Sequence, residues 1–238
     1  MNWDLNPFDL WIVHSVNRMA RHSWLFDKAL GTLANNILFT SGMITALFCY
    51  AWVRRSPQRE RDRSFVLSGV VLTTMALVVA RAMALLLPFR ERPWVSGGTN
   101  FRAPFGEEVF PLIHWSSFPS DHAAMYFALA TSLFLVSRKL GVFAYCHAIV
   151  FVCLPLLYFG YHYPTDLIAG ALVGTGTASL AANDRLRGAI SDTGFRWRAN
   201  SPGTFYPALY MCMLLTATQY DSVRSIAYGV WKAVKRHP

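Results

Sequence analysis

Apolar residues along this chain fall into long runs separated by short polar stretches, and neither a strand-like alternation nor a one-sided helical stripe accounts for them. A bilayer core is crossed by about 20 mostly apolar helical residues. Six stretches approach that pattern: 36–53, 65–89, 122–136, 142–160, 167–182 and, with a weaker run, 205–218. They predict an all-α integral membrane bundle with about five to six transmembrane helices. The first 35 residues have a different texture, because Trp3, Trp11, Trp24 and Phe26 are mixed with Asp4, Asp9, Arg18, Arg21, Asp27 and Lys28. That mixture suits amphipathic helices lying at the headgroup level. At the other end, Val223, Ile226, Val230, Trp231 and Val234 line one side of a basic stretch. The expected organisation is an interfacial region over 1–35, a transmembrane domain over 36–218 and a basic amphipathic tail over 219–238. No internal repeat or linker divides it further.

Composition strengthens the membrane reading. Only 15% of the 238 residues are charged and 54% are apolar, whereas soluble domains carry roughly 25% charged residues. The formal charge of +9 does not point to nucleic acid, because the basic residues sit in short clusters between apolar runs and form no continuous basic face. Their distribution reads as topology. Arg54, Arg55, Arg59, Arg61 and Arg63 follow the first run, Arg138 and Lys139 the third, and Arg185, Arg187, Arg196 and Arg198 the fifth. These alternate connections are expected on the cytoplasmic side. The remaining connections, 88–121 and 161–166, then face the other side. The N-terminus lacks the pattern of a cleaved signal peptide. Cys49, Cys146, Cys153 and Cys212 all lie within apolar runs without metal-ligand spacing and read as small buried hydrophobes.

The polar clusters of the second face carry the candidate chemistry. Pro88-Phe89-Arg90-Glu91-Arg92-Pro93 ends the second run, Phe118-Pro119-Ser120-Asp121-His122 opens the third, and His162-Tyr163-Pro164-Thr165-Asp166 lies between the fourth and fifth. Guanidinium groups hold phosphate oxygens bidentately, and a helix N-terminus favours an anion. Two imidazoles titrating near neutrality can serve as nucleophile and proton donor. A carboxylate four residues after a histidine can fix its tautomer. The set suits phosphoryl transfer. The plainer alternatives are lipid-phosphate contacts for Arg90 and Arg92, an N-cap for Ser120 and Asp121, and a loop contact for His162 with Asp166. His147 reads as a core histidine, and His114 as a candidate substrate contact. Gly170, Ala171, Gly174, Gly176 and Ala178 read as a close-packing stripe.

In order, spacing and placement, the upstream Arg-Pro, the Pro-Ser-Asp-His before an apolar helix and the downstream His-Tyr-Pro-Thr-Asp resemble the three motifs of the type 2 phosphatidic acid phosphatase superfamily. That superfamily includes integral-membrane lipid phosphatases, and Ser-Phe-Pro-Ser-Asp-His is especially similar to bacterial undecaprenyl-diphosphate phosphatases. The resemblance implies that His162 is a nucleophile forming a phosphohistidine, that Asp166 orients it and that His122 is the general acid. It also implies that Arg92 and Ser120 bind phosphate, aided by backbone N–H groups from 120 to 122, with Asp121 in the same shell and no metal or cofactor. The expected partners are the membrane and a lipid phosphate or polyprenyl diphosphate, not nucleic acid. Two positions depart from the pattern. Leu85 stands where the family has a lysine, and Leu156 where it has an arginine, with Pro155 in place of a serine. Arg81, one turn below Leu85 on the same helical face, Arg90 and Arg102 are the candidates to supply the missing charge. The alternatives are a phosphotransferase using the same intermediate, or a silent relative that binds a phosphorylated lipid.

Overall fold

The computed structural model describes residues 6–106 and 115–217. Among them all regular structure is helical. Helix α1 (Pro7–Asn17) starts where Asn6 accepts a hydrogen bond from the Phe8 N–H (3.1 Å) and proline occupies the first turn, a position that needs no N–H partner. Ser23 caps α2 (Trp24–Asn35) in the same way. A π-helical turn, Leu38–Gly42, leads into α3 (Met43–Val53), and the long α4 (Arg59–Leu86) follows. Beyond the α4–α5 connection come α5 (Asp121–Val136), α6 (Arg138–His147), a π-helical stretch (Ala148–Cys153), and α7 (Leu154–Tyr158). The chain closes its described part with α8 (Pro164–Ser179), α9 (Asp184–Asn200) and α10 (Pro202–Ala217).

All six apolar runs are therefore helical. Two units, α4 and the continuous 138–158 stretch, are long and apolar enough to cross a membrane, and α2 with α3, bent by 57° at their junction, makes a third if the pair is one span. Helix α5 forms the centre, with Ala123, Ala124, Met125, Ala128, Ala130 and Leu133 fully buried. Its tightest neighbour is α8. A Cβ on Gly170 would collide with the Ser120 carbonyl oxygen, and one on Gly174 with that of Ala124. The two backbones are in direct contact, as the small-residue stripe predicted for those positions. Gly176 turns away and meets nothing within 4 Å. His147 is a core histidine whose Nε2–H donates to the Phe39 carbonyl (2.6 Å), tying the end of α6 to the π-helical turn before α3.

The basic connections gather at one end of the bundle. Arg54 pairs with Asp62 (2.8 Å) and reaches the Val136 carbonyl at the end of α5 (3.4 Å). Arg198 of α9 pairs with Glu60 (3.1 Å), and Arg187 donates to Ser64 (3.1 Å). The histidine-bearing segments lie at the opposite ends of α4, α5 and α8. Of the four cysteines only Cys153 is buried; Cys49, Cys146 and Cys212 are exposed. An apolar surface of this kind is what a lipid-facing wall requires, so the expectation that all four are buried holds for Cys153 alone.

Candidate active site

Beyond the end of α7 the chain reverses at Gly160, whose φ of +69° is the left-handed conformation that glycine adopts without steric cost. The turn is locked where the Tyr161 N–H donates to the Leu156 carbonyl (2.9 Å) and the Trp94 N–H to that of Gly160 (3.2 Å). This reversal drops His162 into the interior, 2% exposed. Its Nδ1 lies 2.8 Å from the Ser117 carbonyl oxygen. A carbonyl only accepts, so Nδ1 carries the proton and Nε2 presents a lone pair. Asp166, expected to orient the ring, is 3.6 Å from Nδ1, beyond a good hydrogen bond. The Ser117 carbonyl fixes the tautomer, and Asp166 contributes charge nearby. Burial holds the His162 pKa below the ordinary histidine value, and Arg92 adds to the effect while Asp166 and Asp121 oppose it.

Ser120 caps α5 through its hydroxyl, which accepts from the Ala123 N–H (3.3 Å). Asp121 accepts from the His122 backbone N–H (2.9 Å) and from His122 Nδ1 (3.1 Å). The His122 ring is 41% exposed at its side chain, and its centroid is 6.5 Å from that of His162. Two of the three expected backbone donors are already engaged: the Ser120 N–H donates to the Asp166 carbonyl (3.0 Å) and that of His122 to Asp121. Asp121 also differs from the expected phosphate contact, because its carboxylate would repel an anion and instead holds His122 and forms an ion pair with Arg81. The Arg81 guanidinium lies 4.9 Å from the centre of the Trp115 ring.

Arg90 and Arg92, two residues apart, have different environments. Arg92 donates to the Tyr161 carbonyl (2.8 Å), and its buried Nε has no acceptor among the described residues. Burial lowers its pKa from the usual arginine value, with Asp121 and Asp166 opposing. Arg90, 1% exposed, is instead clamped between carboxylates at 2.7 Å (Asp9) and 2.6 Å (Asp166), donates to Thr165 Oγ1 (2.8 Å), and lies over the Tyr163 ring at 4.2 Å. The expectation that Arg90 bends toward substrate is therefore corrected, because its guanidinium is committed to two buried carboxylates. Asp121, His122 and His162 bring one donor atom each within 4.8 Å of one another. They could approach a cation, but with Arg81 already on Asp121 and Arg92 alongside, the charge of the site favours an anion.

These features align with known proteins. Residues 88–187 match the family model described as PAP2 superfamily. Over 163 residues the chain is 38% identical to the bacitracin transport permease protein BcrC of Bacillus licheniformis, covering 67% of this chain and 71% of that protein. The chain belongs to the PAP2 superfamily. Among solved structures, the crystal structure of LpxE from Aquifex aeolicus superposes with a TM-score of 0.52 at 20% identity, over 76% of this chain and 99% of that one, which shows a shared fold. With apolar, membrane-length helices carrying the PAP2 motifs, the protein is a membrane-associated lipid phosphatase.

Neither position that departs from the PAP2 pattern brings a cation to the site. Leu85 is 83% exposed, and Leu156 packs into the core beside Leu157, Tyr163 and Leu167. Arg102 is exposed, its backbone held by both ends of the Asn17 amide (2.8 Å each). His114 lies outside the described residues, as do Glu107, Glu108 and the tail 219–238. The structure thus brings together His162, His122, Asp166, Ser120, Asp121, Arg81 and Arg92. Reading the sequence missed Ser117, which acts through its backbone, and Asp9 with Thr165. For Asp9 the one available signal was an acidic residue on an otherwise apolar helical turn.

Proposed function

We propose that this phosphatase removes the terminal phosphate from a lipid phosphate or polyprenyl diphosphate at the extracytoplasmic face of a bacterial inner membrane, through a phosphohistidine on His162. The observation that carries this reading is the His162 ring itself, held by the Ser117 carbonyl with an unprotonated Nε2 beside Arg92, whose buried Nε lacks an acceptor among the described residues. In the first step the Nε2 lone pair forms the N–P bond as the P–O bond to the lipid breaks. His122, oriented by Asp121, protonates the departing oxygen. In the second step water attacks phosphorus, His122 takes its proton, and the N–P electron pair returns to His162. Arg92 and Arg81 hold the phosphate oxygens, with Arg81 standing in for the cation absent at Leu85. The neutral nucleophile is supported by the burial that depresses the His162 pKa.

The headgroup site lies opposite the arginine-rich end, which supports an extracytoplasmic active site by the positive-inside rule. Phosphate release by the purified protein from phosphatidic acid and from farnesyl diphosphate, with His162→Ala as control, tests the assignment. Turnover by the native chain and none by the variant is the expected result. Binding without release by both proteins would overturn the assignment and mark a relative that only binds phosphorylated lipid, the reading tied to the uncharged Leu85 and Leu156. Transfer to an added acceptor lipid would instead mark a phosphotransferase.

A further inference from the structure

Helix α1 has a buried acid that the catalytic steps above do not use. Asp9 is fully buried, and its carboxylate makes three contacts: Arg90 Nη2 at 2.7 Å, Thr165 Oγ1 at 2.6 Å and the Thr165 N–H at 3.0 Å. Arg90 carries the link onward to Asp166 (2.6 Å), which lies 3.6 Å from His162. We propose that Asp9 is a positioning residue of the phosphatase site, dividing the charge of Arg90 so that Asp166 remains an effective counter-charge for His162.

The argument rests on charge arithmetic and on the phosphohistidine reading above. An isolated buried ion pair of one acid and one arginine would suffice to fasten a helix, and even that gains little against desolvation. Here one guanidinium serves two carboxylates, and the second of them is the one beside His162. When Nε2 bonds to phosphorus while Nδ1 keeps its proton, the imidazole becomes cationic, and a nearby negative charge stabilises that state. If Arg90 faced Asp166 alone, the two would cancel and the support would be lost. Asp9 draws part of the guanidinium's charge toward α1. Thr165, donating to Asp9 and accepting from Arg90, keeps both planar groups in register at the first turn of α8.

Anchoring of α1 is a separate matter and can be separated by experiment. The same helix is fastened at its far end by Asn17, bonded to the backbone of Arg102, and by His14 at the Thr99 carbonyl (3.0 Å). Asp9→Asn keeps the acceptor for the Thr165 N–H and removes the charge. Asn17→Ala loosens the helix and leaves the charge in place. In the purified full chain with farnesyl diphosphate, Asp9→Asn is expected to lower kcat by roughly 10- to 100-fold, while KM moves less than about twofold, the mark of an interaction made in the transition state. Asp9→Glu, which restores the charge, recovers part of the loss. Asn17→Ala lowers the unfolding temperature and keeps kcat within about twofold, the level at which it separates anchoring from charge. Native kcat in Asp9→Asn, or parallel losses of kcat and thermal stability in the Asp9 and Asn17 variants, would overturn the proposal. Should Asp9→Asn fail to accumulate, Arg90→Lys decides, because a lysine cannot bridge two carboxylates in a fork: a reduced kcat is expected and a native one overturns the idea. Native turnover by His162→Ala would remove the phosphohistidine reading itself, whatever the Asp9 variants do.

Discussion

At the scale of single residues, the site depends on what surrounds each charge. On the proposed mechanism His162 attacks as the neutral ring, a state that burial favours by lowering its pKa. The acid limb of kcat/KM, which reports the free enzyme, is therefore expected below the ordinary histidine value of about 6.5. A pH–rate profile measures it. Asp166→Asn removes one of the groups that raise the His162 pKa, so the limb moves further toward acid while kcat falls. Arg81 and Arg92 carry a second expectation. A hydrogen bond to a charged group contributes about 1.5–3 kcal/mol, so Arg81→Ala and Arg92→Ala each lower kcat/KM by roughly 10- to 100-fold. Arg81 was legible in the sequence, since it shares a helical face with Leu85. The replacement of Asp166 by the Ser117 carbonyl as the ring's hydrogen-bond partner was not, because any residue type presents the same backbone oxygen.

Helices α5 and α8 show what pairwise packing contributes. Their contact brings Ser120, Asp121 and His122 against the first turn of α8, where Asp166 both caps its own helix and accepts from Arg90. Gly174→Ala places a methyl against the Ala124 carbonyl, and overpacking of this kind costs about 1–3 kcal/mol. It is expected to lower the unfolding temperature in detergent and to reduce turnover by displacing the motifs. Gly176→Ala meets open space and leaves both unchanged or slightly improves stability through helix propensity. The glycine stripe was readable from its spacing, yet which glycines face α5 depends on the rotation of α8, and Gly176, read as part of the stripe, turns away from it. The N-terminal helices were legible as amphipathic. That α1 buries Asp9 against Arg90 and Thr165 was not, because the contact joins positions 156 residues apart in the chain.

Among the described residues the two ends of the bundle carry different sets of charged groups. Arginines from two connections interlock around Glu60, Asp62 and Trp52 at one end, and His122 and His162 lie at the other. In a cysteine-free background with membranes intact, a cysteine at Ser96 is expected to react with an impermeant thiol reagent added from outside. One at Gln58 is expected to react only after the membrane is opened, and the reverse pattern would invert the orientation. The alternation of basic loops was readable because insertion itself responds to loop charge. The helix count was less so: α5 and α8, at 16 residues each, are short for a span and owe their place to packing at the centre of the bundle.

The two histidines differ sharply in exposure, His162 lying at 2% and the His122 side chain at 41%. On the phosphohistidine mechanism proposed above, the covalent step fixes the order of product departure, and the difference in exposure agrees with it. The lipid product leaves first, from the His122 side, while the phosphoryl group remains on the enclosed ring, so inorganic phosphate is the last product off. Kinetics should then be of the ping-pong type, with free phosphate competing against the lipid substrate and the lipid product not.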